Sequence, residues 1–347
     1  MTVFCGRLFA WVLMIATAGY ADDLKWEWER QNSGVKTSIR GLCAVDDQVC
    51  WFGTGGGTVG RTIDGGKSWQ RFVLEGAEKL EFRDVEALDA DRCLAMSVGG
   101  GTASRIYLTR DGGVSWELVN QNQAPQGFYN GMAFWDEKKG ILAGDPVEGK
   151  LVILRTSDGG RTWQGLPNTP KMKEGEHAFA ASGTHVAVAP GGHVWVASGG
   201  KVARVFHSAD FGRTWSVQET PMISGEPSTG IFSLAFQDSR MGLAVGGDYE
   251  KEEAGIRNAM ATTDGGKTWQ LLKKGEGQAV FPFRSCVRFD PASKTFIATG
   301  PEGSNCSRDG GKTWTSFGDR GFHTLSIGGS LQATWAAGSE GRIRHLR

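Results

Sequence analysis

The chain has no net charge, 38 basic residues standing against 38 acidic ones. It has no basic run either, so the electrostatic footprint of a nucleic-acid binder is missing. No Cys-x-x-Cys or His-x-x-x-His occurs, which removes the usual metal-ligand spacings, and no metal site is expected. No Gly-x-Gly-x-x-Gly follows a strand and opens a helix, so no dinucleotide cofactor is expected. The glycine-rich stretches Thr54–Thr58 and Ser97–Thr102 read as loops. A Gly-x-Ser-x-Gly elbow in strand–helix context is missing as well, which leaves a serine hydrolase without its signature. Beyond the first twenty residues no apolar run is long enough to cross a membrane.

What is present begins with a leader. Arg7 is followed by the apolar run Leu8–Ala18 and then by small residues up to Ala21. That layout predicts a secretory signal peptide over residues 1–21, cleaved after Ala18 or Ala21, and a periplasmic or secreted product. The alternative is a short anchor, although the run falls short of the ~20 apolar residues a span needs. Five cysteines follow the leader. A two-residue turn at Asp46-Asp47 would set Cys43 opposite Cys50, a pair that an exported protein could oxidise or keep as two small buried thiols.

The rest is organised by a repeat. The pattern Asp-x-Gly-x-Ser/Thr-Trp ends at Trp69, Trp116, Trp163, Trp215, Trp269 and Trp314, at intervals of 47, 47, 52, 54 and 45 residues. Periods of this size mark stacked supersecondary units. Each unit reads as strand, turn, strand, loop, strand, motif, strand, which is a four-stranded antiparallel blade. In the fourth unit, His185–Ala189 and Phe179–Gly183 compete for the first strand. The tail from Phe322 to Leu346 supplies three strands and no motif, while Trp26–Arg30 resembles the strand that follows a motif. Residues 22–347 are therefore expected to form one all-β domain, a seven-bladed propeller whose last blade is closed by the N-terminal strand. Six blades with ragged ends is the alternative.

Folding explains every residue of the motif. Glycine supplies positive φ at a corner, the aspartate accepts amide and hydroxyl hydrogens, and the tryptophan buries its ring between sheets. The fourth copy carries Phe211 where the others have glycine. The motif resembles the Asp-box, or BNR repeat, of sialidases and other propellers, in which it lies away from the active face. The lead into the motif and the ending Trp335–Ile343 further resemble the photosystem II stability/assembly-factor-like propellers. Exported bacterial versions of that branch are often labelled oxidoreductases.

If first strands line the channel, their opening residues share one mouth with the loops between second and third strands. This gives Arg40, Arg83, Tyr129 or Asn130, His177 or Phe179, Phe232, Arg284 and His323, joined by Asp145 and Asp248 from the loops. Converging arginines would attract an anion, or would simply pair with these acids. Two functions compete. One is a binding scaffold, expected to be a monomer, that holds a partner protein or a small anionic ligand. The family resemblance implies an arginine-rich face touching a membrane-protein client. The other is a sialidase-like glycoside hydrolase, in which arginines grip a carboxylate beside a Tyr–Glu pair. The Phe-Arg-Ile-Pro sequence of sialidases is replaced by Phe82-Arg-Asp-Val and Phe283-Arg-Ser-Cys. Tyr107, Tyr129 and Tyr249 have no evident glutamate partner in the sequence. No catalytic residue is assigned.

Overall fold

Each copy of the motif builds the same corner. In the first, Asp64 Oδ1 accepts the Ser68 amide at 2.9 Å and the Thr62 hydroxyl at 2.8 Å, and Oδ2 accepts the Ser68 hydroxyl at 2.5 Å. The other five copies, from Asp111 to Asp309, repeat the hydroxyl bond at 2.5–2.7 Å. The corner reverses the chain between a third strand and an outer strand, and it drops the tryptophan ring against the preceding blade. Phe211 takes the position of a left-handed glycine with φ 62°. Its ring packs edge-on against Trp135, with centroids 5.1 Å apart.

A computed structural model of the chain describes residues 26–273 and 280–347, and the leader expected over 1–21 lies outside them. Seven four-stranded antiparallel blades form a ring, and two short strands, Glu176–His177 and Gly199–Gly200, extend the sheet of blade five to six strands. Their innermost strands are Ile39–Ala44, Glu81–Ala87, Tyr129–Phe134, Val186–Ala189, Thr229–Phe236, Cys286–Asp290 and Thr324–Ile327. Blade seven takes its outer strand from the N-terminus, Trp28–Asn32 pairing with Arg342–Leu346. The two chain ends are thereby zipped into one sheet, and the six-blade alternative does not apply.

Packing follows the ring. One apolar cluster fills each of the seven gaps between neighbouring blades. Between blades one and two, Trp116 meets Trp51 edge-on at 6.2 Å; between seven and one, Trp69 meets Trp335 at 5.8 Å. Trp28 does the same for the gap between six and seven, against Phe317 and Phe322. Burying one such ring stabilises the fold by roughly 2–3 kcal/mol.

The two-residue turn proposed at Asp46-Asp47 does not form. Asp46 Oδ1 takes the amides of Gln48 and Val49, and the longer turn pairs Cys43 with Trp51 and Cys50 with Ala44. Offset by one residue, the two thiols point to opposite faces of blade one. Both are free.

The fourth unit departs from its siblings. Val186–Ala189 is the inner strand, and Phe179–Gly183 instead runs across the channel. Together with Ala178 and Thr184 at its ends, the crossing segment bonds to all six other blades. Arg40 donates to Ala181 O, Arg83 to Ala180 O, and Asp145 accepts the Ala178 amide. Thr184 donates to Ser233, Ser182 donates to Ser285 O, and Thr324 donates to Ser182 O. Gly183, at φ 69°, lies so close to Asp84 that an added Cβ would stand 2.3 Å from Oδ1. Only glycine fits there.

Candidate binding site at the mouth of the channel

Four inner strands carry a bulge near their start. The register slips between Ile39 and Gly41, Phe82 and Asp84, Tyr129 and Gly131, and Ile231 and Ser233. The extra residues are Arg40, Arg83, Asn130 and Phe232. A bulge re-aims a side chain that the regular pleat would send into a blade gap. Blades six and seven do the same at Ser285 and His323, whose amides bond to Thr299 O and Ala337 O.

Above the crossing segment these residues enclose a cup of about 360 Å³. Arg40, Arg83, His323 and Ser285 line one side. Phe179, Phe232, Phe283 and Tyr249 line the other, with Glu252 and Pro301. Phe179 stacks on Phe232 at 3.8 Å, and Phe283 meets Phe232 edge-on at 4.8 Å. Tyr249 closes this wall edge-on and stays 45% exposed. Half the cup is therefore cationic and half aromatic.

Arg40 is sparsely satisfied, whereas Arg83 is ion-paired with Glu81. Arg40 reaches Ala181 O at 3.3 Å, and Arg83 reaches Ala180 O at 3.4 Å and Glu81 at 2.8 Å. Burial, then the neighbouring Arg83, lowers the Arg40 pKa. Burial also drops His323 to about 4, helped by Arg40, Arg342 and Arg83, so its ring is neutral near pH 7. The mouth owes its positive charge to two arginines. Glu252, raised by burial and then by Glu302, is the carboxylate of the aromatic side.

The remaining sequence candidates lie elsewhere. Arg284 is turned into blade six, 2% exposed, and donates to Asn305 Oδ1 at 3.1 and 2.7 Å and to Phe283 O. Burial lowers it to about 10. Ser285, not the expected Arg284, holds the position of Arg40, since a one-residue slip reverses the face. Tyr129 likewise is buried between blades two and three, with its hydroxyl on Asn120 at 2.7 Å. Asn130 is the bulge residue of blade three, but the crossing segment covers it, and its amide reaches Ala178 O.

Asp145 is spent on the Ala178 amide, and burial raises its pKa. His177 packs edge-on against Phe179 at 4.9 Å and pairs with Gly199, supporting the wall from behind. Asp248 is buried and holds the Glu250 amide at 3.0 Å. Of the aromatic side, the sequence places Phe179 and Phe232 at strand openings, whereas Phe283, in the segment leading into blade six, and Glu252, in the loop after Gly242–Asp248, carry no such signal.

No protein-family model and no curated protein sequence matches the chain. Solved structures do. A YCF48 bound to D1 peptide superposes with a TM-score of 0.56 at 15% identity, covering 93% of this chain and 97% of that one. YCF48 from Cyanidioschyzon merolae gives 0.64 at 15% identity, over 92% and 98%. The Pan2 WD40 domain of Neurospora crassa gives 0.60 at 12% identity, over 89% of each chain. These likenesses establish the propeller fold.

Proposed function

We propose that the chain is an exported scaffold that holds a partner protein, or a small anionic ligand, at the channel mouth. The observation that carries this reading is the pair of bulge arginines, Arg40 and Arg83, facing a wall of four aromatic rings across one cup. A carboxylate on the arginines and an apolar group on the rings would fill both halves. The C-terminal residue of a peptide with a large apolar side chain has that chemistry. The likeness to a YCF48 bound to D1 peptide supports a peptide ligand, as does the assembly-factor resemblance of the sequence. The test is titration with C-terminally free and amidated peptides ending in phenylalanine or leucine. Binding that needs the free carboxylate, and that is lost in an Arg40→Gln/Arg83→Gln variant, is the expected result. Equal binding of free and amidated peptides would overturn the site.

The glycosidase reading gains one observation: Tyr249 and Glu252 line the same cup as the two arginines. Hydrolysis of a fluorogenic sialoside, lost on Tyr249→Phe, would favour it over the scaffold.

A further inference from the structure

Blade seven contains a charge arrangement that folding opposes. Its outer strand sets Arg30 directly opposite Arg344. Like charges facing each other across a ladder are destabilising. The other blades avoid this. Between their third and outer strands no two like charges stand opposite each other: Arg61 faces Gln70, Arg155 faces Gln164 and Arg204 faces Glu219. Arg342, two residues from Arg344 and so on the same face, faces Asn32. Arg320 adds its charge from the linker between blades six and seven; burial, then Arg30, Arg342 and Arg320, lowers the Arg344 pKa. Among the described residues none of these four arginines, Arg30, Arg320, Arg342 and Arg344, is ion-paired with a carboxylate, and the ion pair of the seam is Arg347 with Glu29.

A groove of about 450 Å³ runs beside this cluster, between the linker Ser33–Lys36 and the turn Ser339–Gly341. Arg30, Arg342, Arg344 and Lys36 line it, and Glu340 is its single acid. It is separate from the cup. We propose that this seam groove is a second binding site, and that it takes an acidic polypeptide segment. The charge complementarity is one-sided and local, in a chain whose net charge is +0. A groove with three guanidinium groups on two paired strands, and the Lys36 ammonium beside them, suits carboxylates repeating along an extended chain. Nucleic acid or an anionic bilayer would need a broad basic face.

The experiment uses the full mature chain with a short oligo-glutamate peptide, inorganic phosphate and anionic phospholipid vesicles as probes. Oligo-glutamate is expected to bind in a salt-sensitive manner and to lose at least about tenfold in affinity on Arg344→Glu, in keeping with the large effects of reversing a charge at an ionic interface. The Arg40→Gln/Arg83→Gln variant is expected to bind it as the wild type does. Arg344→Glu also creates an opposite-charge pair with Arg30, so its melting temperature should equal or exceed that of the wild type. A misfolded variant would melt lower, and Arg30→Gln then reports in its place. Unchanged oligo-glutamate affinity in both seam variants, loss confined to the mouth variant, or tighter binding of phosphate or vesicles than of oligo-glutamate would each overturn the proposal.

Discussion

His323 Nε2 and the Ser339 hydroxyl are 3.2 Å apart, and the two residues line different cavities. His323 belongs to the cup and Ser339 to the seam groove. A single hydrogen bond thus forms part of the wall between them. Because burial and three arginines hold His323 at about 4, the ring meets Ser339 uncharged. Its imidazole carbon-bound proton signal should stay constant from pH 8 to pH 5 in an NMR titration, where an unperturbed histidine moves around ~6.5. The sign for stability follows: a depressed histidine pKa contributes stability above the unfolded value, which is lost as pH falls toward the folded one. A midpoint near neutrality would mean that the ring is solvated and charged.

Phe211 makes a prediction that reverses the usual order of side chains. At φ 62° it carries left-handed strain of about 1 kcal/mol that glycine would not. The Phe211→Ala variant loses the contacts to Trp135 and Lys139 and keeps the strain, while Phe211→Gly loses both. The glycine variant should therefore be the more stable of the two by ~1 kcal/mol in urea unfolding. Equal midpoints would mean that the backbone relaxes in the alanine variant.

The start of the crossing segment is fixed by Glu176. Its side chain is fully buried and ion-paired to Arg204, and it also accepts the Ser198 hydroxyl at 2.6 Å and the Lys173 amide at 2.8 Å. Glu176→Gln leaves Arg204 charged and without its partner, which should lower stability by about 3–5 kcal/mol. Denaturant unfolding followed by tryptophan fluorescence measures it. A loss below about 1 kcal/mol would show that water reaches the pair.

Repeat corners lose stability in acid as His323 does, although here the form held by the fold is the charged one. The Ser68 hydroxyl and amide hold Asp64 at about 2. Such a carboxylate contributes stability above its unfolded value near ~3.8, and that contribution is lost as pH falls through about 2. The Asp64→Asn variant should melt lower than the wild type at pH 6, and the gap should close by pH 2. A gap independent of pH would assign the effect to shape and not to charge.

The architecture was legible because the corners repeat. A motif that recurs six times fixes the phase of each blade, and Trp26–Arg30 announced the closing strand by its likeness to the residues after Trp116 and Trp269. The cup was only half legible. Arg40, Arg83 and His323 stood at strand openings, where counting from the motif is nearly right. Arg284 shows the limit, since a bulge moves the channel-facing position by one residue and no residue type marks a bulge reliably. The crossing segment was harder still. Ala178, Ala180 and Ala181 meet their partners through backbone carbonyls and amides, and backbone contacts leave no trace in side-chain pattern.

That segment gives the ring an axle. Its partners in blades one, two and three precede it in the chain, and those in blades five, six and seven follow. Every blade therefore rests on a common hub as well as on its neighbours, and the strand Trp28–Asn32 closes the wheel around it.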